Sequence, residues 1–179
     1  MTVYTIGHSN RPLETFIEVL QAYGIEALVD IRTVPKSRAN PQFWGTSLAE
    51  TLPEADISYH RIDGLGGLRS KSRNVPPAVN EFWENQSFHN YADWALGPQF
   101  HQGFIELEDL ASTQITVIMC AEVLWWRCHR RIVADYLLTS GHEVTHIFDE
   151  KHQEPAKLTS AAVVQRTPDL FTIEYPKPE

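Results

Sequence analysis

Residues 2–32 constrain the fold most. The run "VYTIGH" is β-branched and aromatic, and it reads as a buried strand over residues 2–7. In "SNRPLETFIEVLQAYGI", Ser9 or Asn10 can cap a helix and Pro12 suits its first turn. Phe16, Ile17, Leu20 and Tyr23 recur at helical spacing, and Gly24 closes the segment. "EALVDIR" (26–32) is a second strand, apolar until Asp30, as expected when both faces of a sheet are covered. Strand, helix and strand in so short a span make a βαβ unit, whose strands run parallel.

The rest of the chain extends that unit. "ISYHRI" (57–62) reads as a third strand, followed by the glycine-rich loop "DGLGGLRSKSRNVPP". Residues 78–112 are expected to be mostly helical, with a break near "LGPQF". "QITVIMC" (114–120) is the clearest strand. "CHRRIVADYLLTSG" (128–141) is an amphipathic helix ended by Gly141, and "HEVTHIF" (142–148) is a further strand. The expected architecture is α/β: a single open, mostly parallel sheet with helices on both faces, a Rossmann-like three-layer arrangement. Residues 1–150 form this domain and residues 151–179 a partly irregular extension, in which "LFTIEY" reads as an edge strand or a mobile segment.

In open parallel sheets, ligands bind beyond the carboxyl ends of the strands. At those ends stand His8 and Ser9, Arg32, Asp63 with the Gly66-Gly67 loop, and Cys120 with Glu122. The strand entrances ("GIE", "DIS", "STQ", "SGH") are plain by comparison, so the polar enrichment marks one edge.

The densest stretch is "VIMCAEVLWWRCHRR" (117–131), which holds both cysteines of the chain. A thiol at a strand end beside a helix start meets free backbone N–H groups and a positive dipole, which makes Cys120 a candidate nucleophile or redox thiol and Cys128 its resolving partner. The plain alternative is a small buried residue finishing a core strand. A cysteine-phosphatase loop would need arginine six positions after the nucleophile, where Trp126 stands. Cys120, Glu122, Cys128 and His129 also have the residue types of a metal site, although the gap between the cysteines is wide for zinc. Trp125 and Trp126 either pack or stack on a ring.

Composition narrows the partners. The net charge of −8 disfavours general adhesion to nucleic acid or anionic membrane. No apolar run has the length of a membrane span, and the first residues have no secretory pattern. With only two cysteines, the expected location is cytoplasmic. Arginines outnumber lysines ten to five, and nine of the ten lie at or before position 131. Arginine suits bidentate recognition of carboxylate or phosphate.

The segments "YTIGHSNRPLETFIEVL", "LVDIRTVPKSRANPQF", "YHRIDGLGG" and "MCAEVLWWRCHRRIVADYL…GHEVTHI" together resemble the DUF488 family of prokaryotic proteins, from about residue 3 to 148. The resemblance implies an α/β fold and one site made by His8, Ser9, Asp30, Arg32, Pro35, Ser37, Arg38, Gly66, Gly67, Cys120, Glu122, Cys128, His129 and Arg130. It implies no substrate, reaction or cofactor. The functional expectation is an enzyme acting on an anionic, nucleotide- or nucleic-acid-like ligand. Arg32, Arg38 and Arg130 clamp the anion, Glu122 is acid or base, and Cys120 is the reactive thiol. The alternatives are a non-catalytic module that binds nucleic acid or protein, and a metal-binding protein using the Cys/His/Glu set.

Overall fold

A computed structural model describes residues 1–179. The chain forms β1 (Thr2–Gly7), α1 (Leu13–Ala22), β2 (Ala27–Asp30), α2 (Gly45–Thr51), β3 (Ser58–Arg61), α3 (Gln86–Trp94), α4 (Pro98–Thr113), β4 (Thr116–Cys120), α5 (Arg130–Thr139) and β5 (Glu143–Ile147). Three short strands follow: β6 (Gln153–Pro155), β7 (Val163–Arg166) and β8 (Phe171–Glu174). Gly24 and Gly141 follow α1 and α5 with φ +67° and +98°, the left-handed backbone that glycine adopts without strain.

Strands β1–β5 are mutually parallel and β6 adds antiparallel to β5, in the order β3-β2-β4-β1-β5-β6. Side-chain alternation divides the core in two. Ile6, Leu28, Val117 and Met119 face α1 and α2 through Phe16, Leu20 and Leu48. Val3, Val29, Ile118 and Cys120 face α3, α4 and α5 through Tyr91, Phe100 and Ile132. The expected three-layer α/β architecture is therefore the one observed. The chain winds outward in opposite directions from β1 and β4, so these two neighbours form the switch point where such sheets open a crevice.

The segment after residue 150 differs from the sequence expectation. "LFTIEY" does form an edge strand, but outside the main sheet: β8 pairs antiparallel with β7 in a separate two-stranded sheet. Ile173 and Tyr175 are fully buried in the α5-side core. The Tyr175 hydroxyl donates to Asp135 Oδ2 at 2.8 Å, and the Tyr175 N–H donates to Asn80 Oδ1 at 3.0 Å. These bonds satisfy buried polar groups on α5 and at Asn80, so apolar contact and hydrogen bonding hold the tail against the body of the domain.

Candidate functional site

The parallel strands deliver Gly7, Asp30 and Cys120 to one edge of the sheet. The chain leaving β1 is tied to the chain leaving β4, with His8 N–H donating to Cys120 O at 2.9 Å and Ser9 N–H to Ala121 O at 3.1 Å. Gly7 permits this approach, because a Cβ there would lie 1.8 Å from the Glu122 carbonyl oxygen. From there residues 121–127 pass through a short 3₁₀ turn (Trp125–Arg127) into α5. A cleft of about 470 Å³ opens at this junction, with Cys120, Cys128, His129, Arg32, Arg127 and Glu122 among its lining residues.

Both cysteines are free thiols, 3% and 6% exposed. The helix N-terminus serves Cys128 rather than Cys120, since the Arg130 N–H lies 3.5 Å from Cys128 Sγ. His129 Nδ1 is also 3.5 Å from that sulfur. His129 Nε2–H donates to the Ile31 carbonyl at 2.8 Å, which leaves Nδ1 as the unprotonated nitrogen facing the thiol. Burial lowers the pKa of His129, which favours the neutral imidazole. Gly67 makes room for this ring, because a Cβ there would be 2.3 Å from Nδ1.

The two sulfurs are driven apart in acidity. Burial pushes the Cys120 thiol well above its ordinary value, and the hydrogen bond to Cys128 and that neighbour's charge push it further. Burial also opposes ionisation of Cys128. The hydrogen bond from Cys120, the Arg130 guanidinium and the Arg130 backbone N–H outweigh it and bring the thiol below its ordinary value. Of the two, Cys128 is therefore the more acidic thiol and Cys120 the less acidic. The sequence reading had placed the reactive thiol at Cys120, with Cys128 as its resolving partner.

The arginines divide by depth. Arg130 is 1% exposed and does not line the cleft. Its Nη1 lies 2.6 Å from Cys120 Sγ and its Nη2 donates to the Val123 carbonyl at 2.8 Å, so it holds the loop and the sulfur in place. Arg32 is 7% exposed; its Nε and Nη2 grip Asp30 at 2.9 and 2.7 Å, and Nη2 also donates to the Phe43 carbonyl at 2.7 Å. His8 Nε2 accepts from Nη1 at 3.2 Å, which leaves one guanidinium N–H for the cleft. Arg127 is exposed at the cleft wall. Asp30 is fully buried, receives the Tyr59 hydroxyl at 2.7 Å, and anchors Arg32.

The remaining expected residues scatter. His8 is buried behind Arg32, stacked on Phe43 at 4.4 Å between ring centroids. Ser9 turns the chain with φ 55°, and its hydroxyl faces Asn10. Pro35 lines a neighbouring cavity, the Ser37 carbonyl accepts from Trp44 Nε1, and Arg38 is exposed away from the cleft. Gly66 sits against Thr33, whereas Gly67 reaches the cleft. No group of three His, Cys, Asp or Glu side chains is placed to hold a metal ion. The metal reading of Cys120, Glu122, Cys128 and His129 is therefore corrected on geometry: both nitrogens of His129 are engaged, and the sulfurs face each other and Arg130. Trp125 packs, stacking on His146 at 4.5 Å. Asn85, Ser87 and Phe88 close the far wall from the start of α3, and no local pattern marks them for that place.

The model of the family described as "Domain of unknown function DUF488" matches residues 12–137. No curated protein and no solved structure matches the chain. No helix is long and apolar enough to cross a membrane. The protein belongs to the DUF488 family.

Proposed function

We propose that this member of the DUF488 family is an enzyme in which Cys128 acts as nucleophile on an anionic, nucleotide-like ligand. The observation that carries this is the surround of Cys128 Sγ: a backbone N–H and an unprotonated imidazole nitrogen, each at 3.5 Å, on the wall of an arginine-lined cleft. His129 is oriented by the Ile31 carbonyl, which repeats the nucleophile–base–orienter logic of thiol enzymes. Arg127, with the free N–H of Arg32, pairs with the anion. Glu122, exposed at the mouth, exchanges protons with ligand or water. Cys120 supplies a hydrogen bond to the thiolate and remains protonated.

Carboxymethylation tests this at pH 6, where an ordinary thiol is almost wholly protonated. The expected result is faster modification of Cys128 by iodoacetate than by neutral iodoacetamide, with displacement of iodide by the thiolate. Arg127→Ala removes the preference for the anionic reagent, and Cys128→Ser removes the reaction. If modification falls on Cys120, or if neither thiol reacts before denaturant is added, the proposal fails.

A further inference from the structure

A second cavity, of about 620 Å³, lies beside the thiol cleft, and Val34 lines both. Val34 is 63% exposed, so it stands as a low apolar ridge between them. The second cavity is walled by Lys36, Trp44, Tyr59 and Arg61. The Lys36 ammonium sits 4.9 Å from the Trp44 ring centroid, and Arg61 Nη2 donates to the Thr33 carbonyl at 2.6 Å, on the same loop. Gly45 brings the backbone close to this wall, since a Cβ there would meet the Tyr59 hydroxyl at 2.7 Å.

Charge is sorted here against the average of the chain. The two cavities are lined by four permanent cations and one carboxylate, Glu122; Arg32 is paired with Asp30 and Arg61 with Asp63 at 3.2 Å, while Arg127 and Lys36 have no acidic partner. The whole chain carries 15 Lys and Arg against 23 Asp and Glu. The opposite rim of the thiol cleft continues the pattern: Leu68 is 73% exposed, and Lys71 and Arg73 beyond it are exposed with no acidic residue among them. Cations interleaved with an aromatic ring and exposed apolar side chains, along adjoining hollows, suit a ligand whose negative charges repeat and whose flat groups alternate with them.

We propose that the second cavity is a binding subsite for the neighbouring residue of a single-stranded oligonucleotide, one residue of which occupies the thiol cleft. A base stacks against Trp44 where Lys36 now lies. Lys36 and Arg61 pair with the phosphate that crosses Val34. This inference rests on the proposed function, for which it names the substrate class as a strand rather than a free nucleotide.

Protection of Cys128 against iodoacetate by thymidine monophosphate, by oligothymidylates of two to four residues and by the matching oligouridylates tests it. The tetranucleotide should protect at a concentration about tenfold or more below the mononucleotide, the effect of one further stacked base and one paired phosphate. Its protection should also fall more steeply with salt. Lys36→Glu and Trp44→Leu bring the ratio of tetranucleotide to mononucleotide protection towards one, while Trp44→Phe, which keeps a stacking ring, retains it. A stronger effect with the uridylates assigns the strand as RNA and with the thymidylates as DNA; either supports the subsite. Equal protection by mononucleotide and tetranucleotide overturns the subsite and leaves the thiol reading standing. If iodoacetate is preferred over iodoacetamide yet no nucleotide of any length protects, the substrate class is wrong. If iodoacetate itself is not preferred, the failure lies in the proposed function.

Discussion

Two buried histidines should make the protein labile to mild acid, and the effect can be sized from the structure. His8 Nδ1–H donates to the Ser9 carbonyl at 2.7 Å, and Nε2 accepts from Arg32 Nη1 at 3.2 Å. A proton on Nε2 would face a guanidinium in a site that is 1% exposed. Burial, reinforced by Arg32, lowers the pKa of His8 from 6.5 to about 4. His146 hydrogen-bonds Thr5 Oγ1 at 2.6 Å and stacks on Trp125; burial and then Arg130 lower its pKa from 6.5 to about 3. Between pH 6.5 and 4 the unfolded chain takes up protons that the folded chain refuses, so the stability from these neutral rings is intact above pH 6.5 and is lost as pH falls. From pH 8 to pH 5 the loss is about 2 kcal/mol for each ring, or about 4 kcal/mol together. Carboxylates also titrate in this range, so the assay compares variants: urea midpoints at pH 8 and pH 5 for the native chain, His8→Gln, and His8→Gln with His146→Gln. Each substitution should reduce the pH-dependent loss by about 2 kcal/mol, whatever it does to stability at pH 8. The ring proton of His8 should show no NMR titration above pH 5. A midpoint at or above 6.5, or an unchanged pH dependence in both variants, refutes the reasoning.

Three further outcomes follow from single contacts. Asp30→Ala strips the carboxylate from a buried guanidinium and should cost about 3–5 kcal/mol in urea unfolding, the usual effect of leaving one buried charge unpaired. Gly67→Ala pushes a methyl group into the His129 ring; about 1–3 kcal/mol of overpacking should accompany slower Cys128 alkylation at pH 6, because the base is displaced. Ile173→Ala should cost about 2–5 kcal/mol if the tail belongs to the core, and a change within a few tenths would show that it does not.

The sheet and its helices were legible in the sequence because buried parallel strands and one-sided helices impose different apolar periods. Thus β1, α1, β2, β4 and α5 fall within a few residues of expectation. The carboxyl edge was legible for the same reason, since strand direction alone fixes which residues emerge there. What periodicity does not encode is the depth of a polar side chain. Arg130 and Arg127 are equally charged and three positions apart, yet one is 1% exposed and grips a loop while the other faces the cleft. That difference depends on the 3₁₀ turn between the cysteines and on Gly7, through which the loop passes close to β1. His8 was displaced from the expected site by a neighbour: Arg32 lies between its ring and the cleft. The far wall at Asn85–Phe88 depends on how α3 docks, for which the sequence had no local sign.

The difference in acidity between the two cysteines follows from that loop. Cys120 ends a central strand and cannot shift, so its sulfur meets whatever the loop brings. The loop brings Cys128 and the Arg130 guanidinium, whose position is fixed by the Glu122 and Val123 carbonyls. Two sulfurs share one nearby cation, so their acidities are coupled. The helix N–H and the imidazole nitrogen lie at Cys128, and that is the thiol whose pKa is lowered, while burial and this neighbour raise that of Cys120. Acidity at Cys128 is thereby tied to the path of residues 121–127. Arg130→Lys keeps the positive charge but has no fork with which to hold both a carbonyl and a sulfur. It should raise the pH at which Cys128 reacts with iodoacetate, although the net charge of the protein is unchanged. An unaltered pH profile in that variant would show that charge alone, rather than the loop geometry, sets the thiol's acidity.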